Sequence, residues 1–136
     1  LFRSIASNQI SKEIPKGGKI LILPDARIEK RNIPKNLIAK IQDACNEMGL
    51  NSKVAYFKKN VINAEMYKNF NDLIQLIRTS DFIVGGDSLP IHLSYFFNKP
   101  HFILYPNGGK KDFFTPFAIE NNYYSEFGSN DFPFLN

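Results

Sequence analysis

The chain carries one cysteine, Cys45, among 136 residues. That excludes an intrachain disulfide and makes a reducing compartment the natural setting. Nowhere does it offer the roughly eighteen uninterrupted apolar residues that a membrane span needs, and its first residues lack the apolar core of a secretory signal. The expectation is a soluble chain in the cytoplasm. No cysteine and histidine cluster has ligand spacing, so no metal site is expected. Internal repeats and long low-complexity runs are missing too. The formal net charge of +4 and a pI near 9.2 suit an anionic partner, but the lysines are scattered and no arginine-rich stripe forms. Nucleic acid is therefore not the expected partner; a phosphorylated small molecule or an anionic surface fits the charge as well.

What is present is an alternation of short apolar runs with helical periodicity, in a chain 43% hydrophobic and of a length to build one core. "KILILP" (19–24) reads as a buried strand closed by Pro24. In "IPKNLIAKIQDACNEMGL" (33–50), Leu37, Ile41, Ala44 and Met48 recur at spacings of three and four and Gly49 stands where a helix would end, which predicts an amphipathic helix with Cys45 and Met48 in or near the core. "KVAYF" (53–57) is a second strand, and "NFNDLIQLIRTS" (69–80) a helix capped near Asn71. "DFIVGG" (81–86) and "HFILYP" (101–106) are two more strands, joined by a helix from near Pro90 to near Asn98. Strands apolar on both faces, alternating with helices, predict a Rossmann-like, doubly wound α/β domain with a parallel sheet. Residues 1–18 lack periodicity and start without methionine, so they read as a linker or the start of a fragment, with the domain proper over 19–136. From Lys111 onward the chain is aromatic and reads as loop packed on this or another domain.

In such sheets ligands bind beyond the carboxyl ends of the strands, where strand order switches and helix N-termini converge. Two loops there are unusually polar, "PDARIEKR" (24–31) and "GGDSLP" (85–90), and both are expected to open on one crevice. Gly85 and Gly86 let the backbone turn sharply and approach a ligand closely. Asp87 and Ser88 precede the helix, and His92 lies in its first turn. Helix-end amides favour an anion, Ser88 can donate a hydrogen bond, and His92 can reach a phosphate oxygen. Asp87 would be repelled by that anion, so it accepts from sugar hydroxyls or caps the helix. Lys30, and less directly Arg27, supply cations from the first loop. The blander alternatives are a plain helix cap at Asp87 and Ser88, a packed histidine at His92 and solvated charges at Lys30 and Arg31.

The run "DFIVGGDSLPIHLSYFFNKP", with Asp81, Asp87, Ser88, Pro90, His92 and Pro100, resembles the C-terminal domain of the lipopolysaccharide heptosyltransferase family. "LPDARIEKRNIPKNLIAKI" is similar to that family's phosphate loop, with Lys30 and Pro34 in its lysine and proline places, and "FFTPFA" resembles a later family segment. Leu89 stands where the family has glycine, Ile33 where it has tryptophan, and "FKKNVIN" lacks its acidic residue near the donor ribose. The resemblance implies half of a GT-B glycosyltransferase, the half that holds a nucleotide-diphosphate sugar. Lys30, Ser88 and His92 would meet the diphosphate and Asp87 the sugar. It further implies transfer to a cell-surface glycan acceptor without a metal or other cofactor, a general base from a missing N-terminal domain, and work at the inner face of the membrane, with peripheral association. The contrasting expectation is a non-catalytic, flavodoxin-like binding or regulatory module.

Overall fold

The computed structural model describes residues 14, 17–26, 29–56, 65–66, 69–86, 89–106 and 122–126. Strand β1 (Lys19–Leu23) is followed by helix α1 (Lys35–Glu47), and β2 (Asn51–Tyr56) by the two-residue β3 (Glu65–Met66). Helix α2 (Phe70–Arg78), β4 (Phe82–Gly86), α3 (Leu89–Phe96), β5 (His101–Tyr105) and β6 (Asn122–Glu126) complete the order. The six strands form one sheet in the order β3-β2-β1-β4-β5-β6, and each neighbouring pair is parallel. Strand order therefore reverses between β1 and β4, the topological switch point of a doubly wound sheet.

Side chains alternate across the sheet, so each buried strand serves two cores. On one face Ile20, Ile22, Phe82, Val84, Phe102 and Leu104 pack with Leu37, Ile38, Ile41, Ala44 and Cys45 of α1, and Ile14 joins them from the N-terminal segment. On the other, Leu21, Leu23, Ile83 and Ile103 pack with Leu73 and Ile77 of α2 and Ile91 of α3. A helix on one side for β1 to β2, and on the other for β3 to β4 and β4 to β5, is what right-handed crossovers require when strand order reverses.

Helix ends differ from the sequence reading in two places. The cap of α2 is Asn69, not Asn71: the Asn69 side-chain oxygen accepts from the Asp72 backbone N–H at 2.9 Å, the spacing that satisfies the third amide of a first turn. Met48, expected in the core, is 39% exposed, because it is the C-cap of α1 and Gly49 turns the chain away at φ 73°. The second strand starts at Asn51 rather than Lys53, and the C-terminal aromatic stretch, expected as loop, contributes β6, paired along its whole length with β5.

The amino ends of β1 and β4 are tied together. The Lys19 N–H donates to the Asp81 carboxylate and the Asp81 N–H to the Lys19 carbonyl, both at 2.8 Å. Asp81 thus closes the end of the sheet opposite the switch point. Cys45 is fully buried, and burial pushes its thiol up to about 11, which leaves it protonated and inert. Native protein at pH 8 is therefore expected to resist a thiol reagent that labels denaturant-unfolded chain within minutes; equal rates in the two states would contradict the buried placement.

Candidate functional site

The loop after β1 is stapled at its neck. The Ile33 N–H donates to the Pro24 carbonyl at 3.0 Å, and the Ala26 N–H to the Asn32 side-chain oxygen at 2.7 Å. A 3-10 turn, Glu29–Arg31, forms the rim, closed by the Asn32 N–H on the Glu29 carbonyl at 2.9 Å. Buried Ala26 and Ile33 anchor its two ends, and Lys30 in the 3-10 turn is exposed. From its far side rises α1, whose first residues also lie at the carboxyl end of the sheet.

Across the switch point, β4 ends at the fully buried Gly86. A Cβ added there would come within 3.0 Å of the Arg31 carbonyl oxygen. The backbone at Arg31 and the end of β4 therefore lie directly against one another. Gly86 was expected to make room for a ligand; the close approach found is to Arg31. Past it, α3 begins at the exposed Leu89, with Pro90 and Ile91 buried beneath. His92 is the fourth residue of α3 and half-buried, in the first turn of a helix whose leading amides have no intrahelical partner. Ser94 turns inward and donates to the Pro90 carbonyl at 2.8 Å, which satisfies its hydroxyl inside the core.

Of the expected site residues, Lys30, Gly86 and His92 thus lie on elements that meet at the switch point. Asp87, Ser88 and Arg27 lie outside the described residues. His101 belongs elsewhere: it starts β5 at the amino end of the sheet, buried, with its Nδ1 2.7 Å from the Lys99 carbonyl.

Two further polar residues, missed by motif reading, lie past the carboxyl end of β1 and at that of β2. Asp25 sits at the loop neck, between the stapled Pro24 and Ala26, and Tyr56 ends β2; both are half-buried. Burial first, and then the Asp25 carboxylate, raise the Tyr56 phenol above its ordinary 10.0, so charge and ring are close enough to interact. Only strand register brings them together, which is why no local pattern announces the pair.

No family model matches the chain, and no curated protein matches it. Solved structures do. E. coli heptosyltransferase WaaC with ADP-2-deoxy-2-fluoro heptose is similar over 88% of this chain and 40% of that one, at a TM-score of 0.56 and 11% sequence identity. The same enzyme with ADP is similar over 88% of this chain and 42% of that one, at a TM-score of 0.55 and 10% identity. The fold is heptosyltransferase-like. The chain spans about two-fifths of the heptosyltransferase chains it matches, and at such identity the likeness concerns architecture: the Rossmann-like, doubly wound α/β sheet read from the sequence.

Proposed function

We propose that this chain is the donor-binding part of a glycosyltransferase and holds a nucleotide-diphosphate sugar across the β1/β4 switch point. The observation that carries the reading is the backbone contact of the stapled Lys30 loop with the end of β4. It supports the reading because it brings the turn that carries Lys30 against the end of β4, the strand that leads into α3, in a sheet whose architecture is similar to that of an enzyme solved with ADP and with an ADP-sugar analogue.

In this reading the reaction breaks the bond between the anomeric carbon and the diphosphate oxygen as an acceptor hydroxyl attacks. The developing negative charge falls on the departing diphosphate, where Lys30, the α3 amides, Ser88 and His92 stabilise it electrostatically. Asp87 accepts hydrogen bonds from the donor sugar. The acceptor, a cell-surface glycan, and the general base that takes its proton belong to a further domain outside this chain, so the piece alone binds donor without turning it over. The place of work is the cytoplasmic side of the membrane.

A melt in the presence of nucleoside diphosphates tests this. Ligand at a hundredfold its dissociation constant stabilises a fold by about 2.7 kcal/mol, a shift a thermal melt detects readily. ADP is expected to raise the melting temperature, and the ring signals of His92 are expected to move on titration while those of His101, at the opposite end of the sheet, stay. Lys30→Ala should weaken ADP and inorganic pyrophosphate alike, by about tenfold and more steeply at low salt, because a lysine acts on phosphate as a point charge. No stabilisation by any nucleoside diphosphate, with both histidines unmoved, would leave the flavodoxin-like binding module as the better reading.

A further inference from the structure

We infer that the outer corner of the α2/α3 layer, where Phe96 and Tyr95 stand beside Arg78 and Lys99, docks on an anionic lipid bilayer, the Phe96 ring entering the acyl boundary and the cations meeting lipid phosphate. Helix α3, "LPIHLSYF", is polar only at His92 and Ser94, and a helix apolar all round is ordinarily covered on every side. The inner side of α3 is covered, with Ile91 and Ser94 fully buried. The outer side is not: Phe96 is 79% and Tyr95 45% exposed. These rings stand on a closed last turn, since Asn98 takes a φ of 55°, its N–H donates to the Tyr95 carbonyl at 3.0 Å and the Lys99 N–H to the Ser94 carbonyl at 2.8 Å. Phe96 meets Phe97 edge to face, with ring centroids 5.4 Å apart. Phe97 packs inward on the core and carries the Arg78 guanidinium 5.0 Å from its own centroid. Aromatic ring and cation are thus displayed together by packed structure.

Charge and position decide what covers this corner. Arg78 is exposed. The Lys99 Nζ donates to the Ser80 carbonyl at 2.8 Å, and an ammonium has two further N–H groups to offer. Lys19, exposed and in phase with Leu21 and Leu23 of the same sheet face, adds a third cation at this end. Among the described residues the carboxylate at this end of the face is Asp81, which accepts from the Lys19 N–H; Asp72 lies in the first turn of α2, at the other end of that helix. An exposed aromatic ring flanked by cations fits an interface of apolar chains beneath anionic phosphates. A second copy fits less well, because a two-fold contact here would set Arg78 and Lys99 against their own duplicates. The further domain of the donor reading faces the carboxyl ends of the strands, roughly 17 Å away along β4 at about 3.3 Å per residue. Docking at this corner therefore leaves the donor crevice open, and the inference stands apart from the donor reading.

The experiment sediments the full chain with vesicles of phosphatidylcholine alone and of phosphatidylcholine mixed with phosphatidylglycerol, at low and at high salt. Native protein is expected to pellet with the mixed vesicles and to be released by salt. Phe96→Ala should lower the partition coefficient about tenfold and Arg78→Gln about fivefold, with both variants still melting cooperatively. The chain has no tryptophan, so Phe96→Trp supplies a sole indole, whose emission should shift to the blue on mixed vesicles and be quenched by lipid spin-labelled on its acyl chain. Failure to pellet with mixed vesicles, equal partition of native protein and Phe96→Ala, or an indole unmoved by lipid each overturns the assignment. A native dimer that Phe96→Ala dissociates, seen by analytical ultracentrifugation without lipid, assigns the corner to a second copy instead. Vesicle binding without any response to ADP upholds this surface and removes only the donor reading.

Discussion

Phe82→Ala is expected to destabilise the domain by about 3–5 kcal/mol, the usual cost of removing a large aromatic side chain from a closed core. Phe82 has no exposed surface and opens β4, the strand between β1 and β5. Its Cα partner on β1 is Ile20, itself buried, and on that face it shares a cluster with Phe102 and Ile41. Strands on both sides and α1 above leave little room for collapse into the vacated volume. Small domains are stable by only about 5–15 kcal/mol in total, so a large part would go. Phe96→Ala is the control: Phe96 is 79% exposed on α3, and its truncation should stay within about 0.5 kcal/mol. Urea unfolding with a common slope separates the two; equal midpoint losses would mean that the faces of the sheet are misassigned.

The same burial made much of the fold legible beforehand. A parallel strand covered on both faces has no polar side to reveal, so "KILIL", "FIVGG" and "HFILY" stand out as continuous apolar runs. What escaped was structure that pairing sustains without burial signal. Strand β3 is two residues long, joined to β2 through Ala55 with Glu65 and Tyr56 with Met66, too short to make a pattern. Strand β6 lies at the edge of the sheet, and "NYYSE" carries too little apolar character to separate it from the aromatic stretch around it. Met48 misled because its spacing continues the stripe of α1 for one residue beyond the last helical turn. Periodicity says which face a residue would take, and only the left-handed Gly49 says that the helix has stopped. Topology alone put the carboxyl ends of β1 and β4 side by side. The Asp25 and Tyr56 pair depends on the register of β1 against β2, which hydrophobic pattern does not carry.

Gly86→Ala is expected to reduce stability and nucleotide affinity together, although Gly86 is assigned no contact with ligand. The added methyl would meet the Arg31 carbonyl oxygen at 3.0 Å. That neighbour is backbone, in a loop closed by hydrogen bonds at Pro24, Ala26 and Asn32, so it cannot give way alone. Either β4 shifts within a sheet paired on both sides, or the Glu29–Arg31 turn moves and takes Lys30 with it. The first costs about 1–3 kcal/mol, as overpacking does. In the donor reading proposed above, the second displaces a phosphate-binding lysine, and a misplacement near 1 Å lowers the function of a preorganised site by up to about a hundredfold. Gly85→Ala provides the contrast. There the nearest atoms, at 3.1 and 3.3 Å, belong to the end of the Ile91 side chain, with the Leu23 carbonyl also at 3.3 Å; Ile91 can change rotamer, so the loss should be smaller and fall on stability. Urea midpoints and ADP titration of the two variants side by side read both effects. A Gly86→Ala protein that binds ADP as well as Gly85→Ala does would show that the turn carrying Lys30 can move without consequence, and would count against the proposed phosphate contact of Lys30.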